Sequence, residues 1–374
     1  MSVTRMIQGD IEQALFKGKI VVLYGARQVG KTTLVKAILA KHSDDSLYLN
    51  CDEPDIREAL TDKTSTELKS FIGARRLVVL DEAQRVKNIG LTLKLLADNF
   101  PAMQVIATGS SSFELSGKIS EPLTGRKREF FLAPFSIKEL EQLYSPLEIE
   151  RLLAERLVFG MYPGVVLNSS DKESRVRELA TSYSYKDVLA YQDIRNPELL
   201  EKLLQALALQ IGSEVSYSEL AQVVGANKIT VESYIRILEQ AYIIFRVGPF
   251  SRNIRNELKK KRKIYFYDLG LRNALINNLN PLALRSDVGA LWENFMVSER
   301  LKRNNNLGLT ANIYFWRTTN GKELDYLEDA GGVLSAYEFK WQKNNFFPPK
   351  EFSRAYPQSV VKLINRENYL DFLI

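Results

Sequence analysis

The sequence predicts a multidomain α/β protein that begins with a doubly wound parallel sheet. Apolar, β-branched segments at residues 19–24 and 76–80 each run directly into polar motifs, as buried parallel strands do at their carboxyl ends. Helical patterns separate the apolar segments up to about residue 132, and a largely helical pattern follows. A chain of 374 residues is too long for one ordinary core, so more than one domain is expected.

The first strand leads into a glycine-rich loop and then a helix, the order typical of a phosphate-binding loop. Residues 19–33 read KIVVLYGARQVGKTT. Gly25 lets the loop turn its N–H groups around a phosphate, Lys31 is expected to reach the β and γ oxygens, and the Thr32 hydroxyl to bind Mg²⁺. A plain glycine turn before a solvated helix is the alternative. The residues predicted to contact the nucleotide are Gly25, Arg27, Gly30, Lys31, Thr32, Thr33, Asp81 and Ser110.

The second strand ends in two adjacent carboxylates, Asp81 and Glu82. Asp81 is expected to hold Mg²⁺, directly or through water, and Glu82 to polarise the water that attacks the γ-phosphate. Glu82 is therefore predicted to be catalytic, together with Lys31. The alternative is a pair of N-cap residues at the start of the next helix.

A third strand, residues 104–108, is followed by glycine and three serines. Ser110 or Ser111 is a candidate sensor of the γ-phosphate at this position. The alternative is an ordinary turn, because glycine and serine are common turn residues.

These motifs and several later ones resemble the AAA-type ATPases that carry a DUF4143 C-terminal region. The matching segments are GARQVGKTT, LVVLDEAQ, IATGSSS, Leu123–Arg126, Leu132–Ser136, Tyr162–Gly164, Tyr185–Asp187, Tyr265–Gly270 and Trp292–Phe295. The resemblance spans nearly the whole chain and implies a homo-oligomer that hydrolyses ATP between subunits, with a catalytic arginine from a neighbour. Arg126 is the first candidate for that arginine. The alternatives are a phosphate sensor within its own subunit and a solvated basic turn.

The composition argues against some kinds of site and indicates where in the cell the protein is expected. The net charge of +6 is modest, so the clustering of charge is more informative than its total. A single cysteine, Cys51, excludes an internal disulfide, and with a single histidine, His42, it argues against a zinc site. The first ten residues lack an apolar core and no run of about 18 apolar residues occurs, so we expect a cytoplasmic protein without a membrane anchor.

Changes in the spacing of apolar residues along the chain predict four segments. Residues 1–132 are expected to form the ATPase core, and residues 133–192 a helical lid. Residues 193–268 are predicted to form a winged-helix domain. Residues 269–374 are predicted to form a nuclease-like α/β domain.

In the winged-helix segment, three helical patterns precede two alternating strands. The third helix is expected to enter the major groove of DNA with Tyr234 facing outward and Ile229 inward. The basic run Lys259–Lys263 lies between the strands and is expected to contact the DNA backbone. The alternative is a protein-docking module with a solvated basic loop.

In the last segment, a helix near residues 291–299 and later strands resemble the PD-(D/E)xK core of restriction endonucleases. Glu338 and Lys340 lie two residues apart on one strand face, Asp325 lies on the preceding strand, and Glu293 lies on the helix. Glu293, Asp325 and Glu338 would bind a second Mg²⁺, and Lys340 would help to position water for phosphodiester cleavage. A docking domain with solvated or salt-bridged acids is the alternative.

The sequence thus predicts an ATP-hydrolysing, Mg²⁺-dependent protein whose C-terminal half acts on DNA, in processing, repair or a process related to mobile elements or phage. The alternative is a regulatory ATPase that binds a protein partner through this half without nucleic acid. An affinity for DNA that falls steeply with salt distinguishes the two.

Overall fold

The structure is a computed structural model that describes residues 3–109, 123–168, 170–182, 194, 196–250, 262–318, 320–342 and 345–374. The chain divides into two compact units, residues 1–134 with 240–242 and residues 135–239 with 243–374. Among the described residues, no helix is both long and apolar enough to cross a membrane.

The N-terminal unit is built on a parallel sheet. Its strands are β1 (Ile20–Tyr24), β2 (Ser46–Asn50), β3 (Leu77–Asp81), β4 (Gln104–Gly109) and β5 (Lys127–Phe131). Its helices are α1 (Gln8–Ala14), α2 (Lys31–Ala40), α3 (Pro54–Leu60), α4 (Ser65–Ile72) and α5 (Ile89–Asn99). The strand order is β2-β3-β4-β1-β5, and every pairing is parallel. The predicted parallel α/β sheet is confirmed.

Strands β1, β3 and β4 are buried along their whole lengths. Continuous burial is expected of parallel strands that are covered on both faces, which explains their unbroken apolar runs. Because the strands are parallel, their carboxyl ends lie at one edge of the sheet. The loop after β1, the acidic pair at the end of β3 and the end of β4 therefore meet at this edge.

The C-terminal unit begins with helices and continues into a mixed sheet. Its helices are α6 (Ile137–Leu140), α7 (Pro146–Phe159), α8 (Pro163–Val166), α9 (Lys172–Ser182), α10 (Pro197–Leu209), α11 (Tyr217–Val224), α12 (Lys228–Gln240), α13 (Leu269–Leu275), α14 (Val288–Asn306), α15 (Lys350–Ala355) and α16 (Tyr369–Leu373). Its strands are β6 (Glu214–Val215), β7 (Ile244–Pro249), β8 (Arg262–Phe266), β9 (Asn312–Arg317), β10 (Glu323–Ala330), β11 (Val333–Phe339) and β12 (Val360–Ile364).

These strands form one sheet in the order β12-β11-β10-β9-β7-β8-β6. The junction is a parallel pairing of β7 with β9, in which Gly248 lies opposite Tyr314 and Pro249 opposite Phe315. The boundary predicted at residue 268 therefore falls between elements that share a sheet. The four-segment division stays a prediction.

The exposed face of α12 differs from the prediction. Ile229 is 81% exposed, whereas Tyr234 is 4% exposed, and its hydroxyl accepts a hydrogen bond from the Asn196 backbone N–H at 3.3 Å. The buried stripe consists of Val231, Tyr234, Ile235 and Leu238. This is the i, i+3, i+4, i+7 spacing of one helix face, so the helix turns Tyr234 into the core and leaves Ile229 outside it.

Candidate nucleotide site and a buried charged cluster

The loop between β1 and α2 depends on its glycines. A Cβ added to Gly25 would lie 2.3 Å from the carbonyl oxygen of Leu132, so no larger residue fits without a backbone shift. Gly30, which precedes α2, has a φ of 97°, a left-handed conformation that glycine adopts at little cost. The loop is therefore held in a shape that the glycines make possible.

Lys31 is turned into this loop. Its side chain is buried, and Nζ donates hydrogen bonds to the carbonyl oxygens of Gly25 at 2.9 Å and Ala26 at 3.0 Å. The ammonium group and the N-terminus of α2 place positive charge where the phosphates of a nucleotide would lie. Arg27 lies in the loop and is partly exposed, and Thr33 lies in the first turn of α2 and is exposed. The loop fits the phosphates of a nucleotide.

Asp81 accepts hydrogen bonds from side chains of three other elements. Its Oδ2 accepts from the Thr32 hydroxyl at 2.7 Å and from the Tyr48 hydroxyl at 2.6 Å, and its Oδ1 accepts from the Thr108 hydroxyl. Burial and the hydrogen bond to Asp81 raise the pKa of Tyr48, which therefore stays a protonated donor. Thr32 and Asp81 together fit a Mg²⁺ site beside nucleotide phosphates, since a hydroxyl and a carboxylate are ligands that Mg²⁺ takes there.

Glu82 follows β3 in a left-handed conformation, with φ 54° and ψ 42°. Its backbone N–H donates to Thr108 Oγ1 at 3.0 Å, and Gln84 Nε2 donates to its Oε2 at 2.6 Å. The carboxylate is partly exposed and lies outside the hydrogen bonds around Asp81. A partly exposed, oriented carboxylate suits a general base acting on water.

Several residues of this site were not predicted from the sequence. Arg5 donates to the carbonyl oxygens of Val29 at 2.7 Å and Ala133 at 2.6 Å, and so braces the loop from outside the motif. Tyr48 lies on a neighbouring strand, and nothing in the sequence around it indicates a role at this site. Thr108 could have been found from the sequence, because it is a polar residue at the end of an apolar strand.

The structure describes the predicted catalytic arginine but not the predicted sensor of the γ-phosphate. Ser110 and Ser111 lie outside the described residues. Arg126 lies directly before β5, beside the start of β1, whereas the phosphate loop follows the other end of β1. The length of a five-residue strand, about 16 Å, therefore separates them. Arg126 Nε donates to Asp98 Oδ1 at 2.6 Å. A phosphate sensor within its own subunit does not fit, and a role toward a neighbouring subunit stays a prediction.

In the C-terminal unit, an unpredicted lysine lies among the acids expected to bind a second Mg²⁺. Lys263 on β8 is 2% exposed. Its Nζ lies 2.9 Å from Glu293 Oε1 and 3.9 Å from Asp325 Oδ1, and it also pairs with Glu323. The acids are thus grouped around an ammonium.

Glu338 and Lys340 pair with each other at 2.6 Å, through Glu338 Oε1. Burial and the charge of Asp325 raise the pKa of Glu338, against the lowering effect of Lys340. Among the described residues, no three or more histidine, cysteine, aspartate or glutamate side chains are arranged to hold a metal ion. The predicted Mg²⁺ role of Glu293, Asp325 and Glu338, with Lys340, does not fit these contacts, because Lys263 lies among the carboxylates.

The position of Lys263 also corrects the expectation for the basic run Lys259–Lys263. A side chain that is 2% exposed and paired with buried acids does not contact a DNA backbone. Arg262, at the start of β8, is partly exposed. Residues 259–261 lie outside the described residues.

Comparisons with known families cover most of the chain. Residues 17–141 match the family described as AAA domain. Residues 150–282 match a domain of unknown function, DUF8612. Residues 288–361 match a second domain of unknown function, DUF4143.

The curated relatives match over most of their length. An uncharacterized protein of Mycobacterium tuberculosis is 27% identical over 339 residues, which cover 88% of this chain and 72% of the relative. An uncharacterized protein of Methanocaldococcus jannaschii is 28% identical over 344 residues, which cover 86% of this chain and 75% of the relative.

Solved structures give weaker matches. A chain in the structure of Drosophila ORC bound to AT-rich DNA and Cdc6 has a TM-score of 0.28 at 11% identity, with 72% of this chain and 90% of that chain covered. The Pif1 helicase of Candida albicans has a TM-score of 0.24 at 15% identity, with 48% of each chain covered. The family matches are more specific and agree with the motifs in the sequence. The chain therefore joins a P-loop AAA domain at residues 17–141 to a DUF4143 region at residues 288–361.

Proposed function

We propose that this protein binds ATP with Mg²⁺ in its N-terminal unit, hydrolyses it, and couples the hydrolysis to DNA through its C-terminal unit. The observation that carries the ATPase proposal is the 2.7 Å hydrogen bond from Thr32 to Asp81, beside the buried ammonium of Lys31. A phosphate-binding lysine, a hydroxyl and a strand-end carboxylate at one edge of a parallel sheet are the parts of an ATPase site.

In the proposed mechanism, the β- and γ-phosphates of ATP lie over the loop, where Lys31 exchanges its bonds to two carbonyl oxygens for phosphate oxygens. Thr32 and Asp81 would hold Mg²⁺, which would supply positive charge at the phosphate oxygens. Tyr48 and Thr108 keep the Asp81 carboxylate oriented through their hydroxyl groups. Binding and charge stabilisation therefore come from residues on four separate elements.

Glu82 accepts the proton of the water that attacks the γ-phosphate. Gln84 orients its carboxylate, and the hydrogen bond to Thr108 fixes its backbone at the end of β3. General base catalysis contributes on the order of 100- to 10,000-fold to a rate. Glu82→Gln is therefore expected to keep ATP binding and to lose at least about 100-fold in turnover.

The test measures binding of a fluorescent ATP analogue and release of phosphate in parallel. Lys31→Ala is expected to lose binding, whereas Glu82→Gln is expected to lose only turnover. Glu58→Gln, an exposed carboxylate on α3, is the matched control and should behave as the wild type. Normal phosphate release by Glu82→Gln would show that another residue activates the water.

The proposed DNA contact depends on residues 197–266. Their order of helix, strand, helix, helix, strand and strand is that of a winged helix, and α11 and α12 are joined by a turn at Gly225 in the left-handed conformation. Lys228 and Arg236 are exposed on α12 and could reach DNA phosphates. These features support a DNA-binding winged helix.

A specific observation also supports the alternative, a regulatory ATPase that docks a protein partner. Val223 is 68% exposed and Ile229 is 81% exposed, at the two ends of the turn between α11 and α12. Exposed apolar side chains on both sides of one turn favour protein contact over contact with phosphates.

Salt dependence separates the two proposals. Phosphate contacts release counterions, so DNA affinity would fall steeply between 50 and 200 mM salt, by about 10-fold or more for even a few contacts. The protein is titrated into single-stranded, duplex and branched DNA over this range, and the ATPase rate is measured with each. Absence of DNA affinity at 50 mM salt would exclude the DNA proposal and leave the docking one.

A further inference from the structure

The starting observation is the environment of Lys263. It is one of the most buried lysines among the described residues, and its ammonium pairs with Glu293 on α14 and with Glu323 at the start of β10. Asp325 Oδ1 lies 3.9 Å away. In the sheet order, β7 and β9 lie between β8 and β10, so this side chain connects strands that do not pair.

Further hydrogen bonds fix the carboxylates of Glu293 and Asp325 in this cluster. Tyr265 donates its hydroxyl hydrogen to Glu293 Oε1 at 2.7 Å, so the carboxylate oxygen that contacts Lys263 has a second donor. Asp325 Oδ2 accepts from the backbone N–H of Phe339 on β11 at 2.8 Å. Asp325 lies where the register between β10 and β9 shifts. A shift of this kind re-aims a side chain, here toward Lys263.

The charges explain why a lysine is stable there. Burial acts to lower the pKa of Lys263, but Glu293, Asp325 and Glu323 outweigh it and hold the pKa above its ordinary value. Burial and the charge of Asp325 raise the pKa of Glu293 to about 7, against the lowering effects of Lys263 and Tyr265. The acids are therefore stabilised by the lysine, and the lysine by the acids.

A divalent metal does not fit this arrangement. Mg²⁺ needs oxygen ligands at about 2.1 Å in nearly octahedral geometry. The ammonium of Lys263 lies between the carboxylates of Glu293 and Asp325 that would have to supply them. A metal at this place would meet a fixed positive charge, and it would have to displace a buried side chain.

We propose that Lys263 is a built-in cation that closes the acidic cluster of Glu293, Glu323 and Asp325 to divalent metals. The ion pairs of this cluster then hold β8 against α14 and β10. The cluster is not an active site for phosphodiester cleavage. The proposal is independent of the ATPase and DNA proposals, because neither requires a metal in the C-terminal unit.

The experiment measures Mn²⁺ binding to the full chain by electron paramagnetic resonance. All variants carry Asp81→Asn, so that the nucleotide site contributes equally to each. When Lys263 is present, we expect the same Mn²⁺ binding with Asp325 as with Asp325→Asn. Lys263→Ala removes both the charge and the side chain that fills the space beside the acids, and it should add about one Mn²⁺ per chain. Adding Asp325→Asn to Lys263→Ala should abolish the added site.

Lys302→Ala is the matched control. Lys302 is also buried and pairs with Glu299 at 2.6 Å, an ion pair that does not include Glu293, Glu323 or Asp325. It should gain no Mn²⁺ binding that depends on Asp325. Equal Mn²⁺ binding by folded Lys263→Ala and by the Lys263 form would overturn the proposal.

If Lys263→Ala fails to fold, the comparison between the chain that keeps Lys263 and Asp325 and the chain with Asp325→Asn decides the question. Equal Mn²⁺ uptake by the two would support the proposal. Higher uptake by the Lys263 form would overturn it, because an acidic cluster with the lysine in place would then be binding metal.

Discussion

Gly25→Ala should disable the nucleotide site through a single added methyl group. The new Cβ would lie 2.3 Å from the Leu132 carbonyl oxygen, where ordinary contact begins at 3.4 Å. The obstacle is backbone and not a flexible side-chain end, so the loop must move by about 1 Å. Overpacking of this kind costs about 1–3 kcal/mol in the free energy of unfolding. For a unit of this size, this corresponds to a fall in Tm of about 3–10 °C.

Gly25→Ala should reduce ATP binding and turnover by more than its loss of unfolding free energy alone would cause. A displacement of about 1 Å at a reacting group costs on the order of 100-fold in rate. Lys31 donates to the carbonyl oxygen of Gly25 itself, so a shift of the loop also moves the lysine's anchor. The assay compares the Kd of a fluorescent ATP analogue, the rate of phosphate release and the thermal unfolding of the wild type and the variant at 25 °C.

Gly9→Ala is the control, because an added Cβ meets nothing within 4 Å in α1 and alanine favours a helix. It should be neutral, or it should stabilise by up to about 1 kcal/mol. Wild-type ATP affinity and turnover in Gly25→Ala would contradict this prediction, since the close approach to Leu132 would then not matter.

Three further predictions concern assembly, DNA contact and pH. Arg126→Ala should keep ATP binding, and mixing it with Glu82→Gln should restore turnover only if subunits share the active site; additive rates in proven mixed assemblies would argue against sharing. Alanines at Lys259–Arg262 should weaken DNA binding and reduce its salt slope by about one unit per lost phosphate contact, and an unchanged slope would leave these residues without a DNA role. Burial acts to raise the pKa of Asp287, but hydrogen bonds from Arg285 and Arg272 lower it to about 2. Because the folded pKa is lowered, this stability is present above about pH 4 and is lost as the pH falls through 2. Asp287→Asn should therefore destabilise by at most about 2 kcal/mol at pH 7 and by about 0.4 kcal/mol at pH 2, where half of the carboxylate is still ionised, as urea unfolding at both pH values would show.

The phosphate loop could be predicted because its chemistry is local. Lys31 contacts carbonyl oxygens only five and six residues away, and the strand, loop and helix that position it are contiguous. The acidic end of β3 could be predicted for the same reason, since an apolar run followed by two carboxylates is visible in one short segment. The parallel sheet followed from the repetition of such runs.

The partners of Asp81 could not be predicted. Tyr48 and Thr108 lie 33 and 27 residues from it, on strands β2 and β4 that flank β3 in the sheet. Strand order and register decide which hydroxyl groups meet the carboxylate, and these depend on pairing between distant segments. The same limit applies to Arg5, whose contacts reach across 24 and 128 residues.

In the C-terminal unit, the helix that carries Glu293 and the hairpin that carries Asp325 could be predicted from helical and alternating patterns in the sequence. The contacts of these acids could not, because they depend on how distant segments pair in the folded unit. Lys263 looks like the last member of a solvent-exposed basic run, yet β8 turns it inward to acids 30 and 62 residues further along the chain. A buried ammonium is stable only where carboxylates converge on it, and their convergence is a property of the folded sheet and helix that no local pattern in the chain encodes.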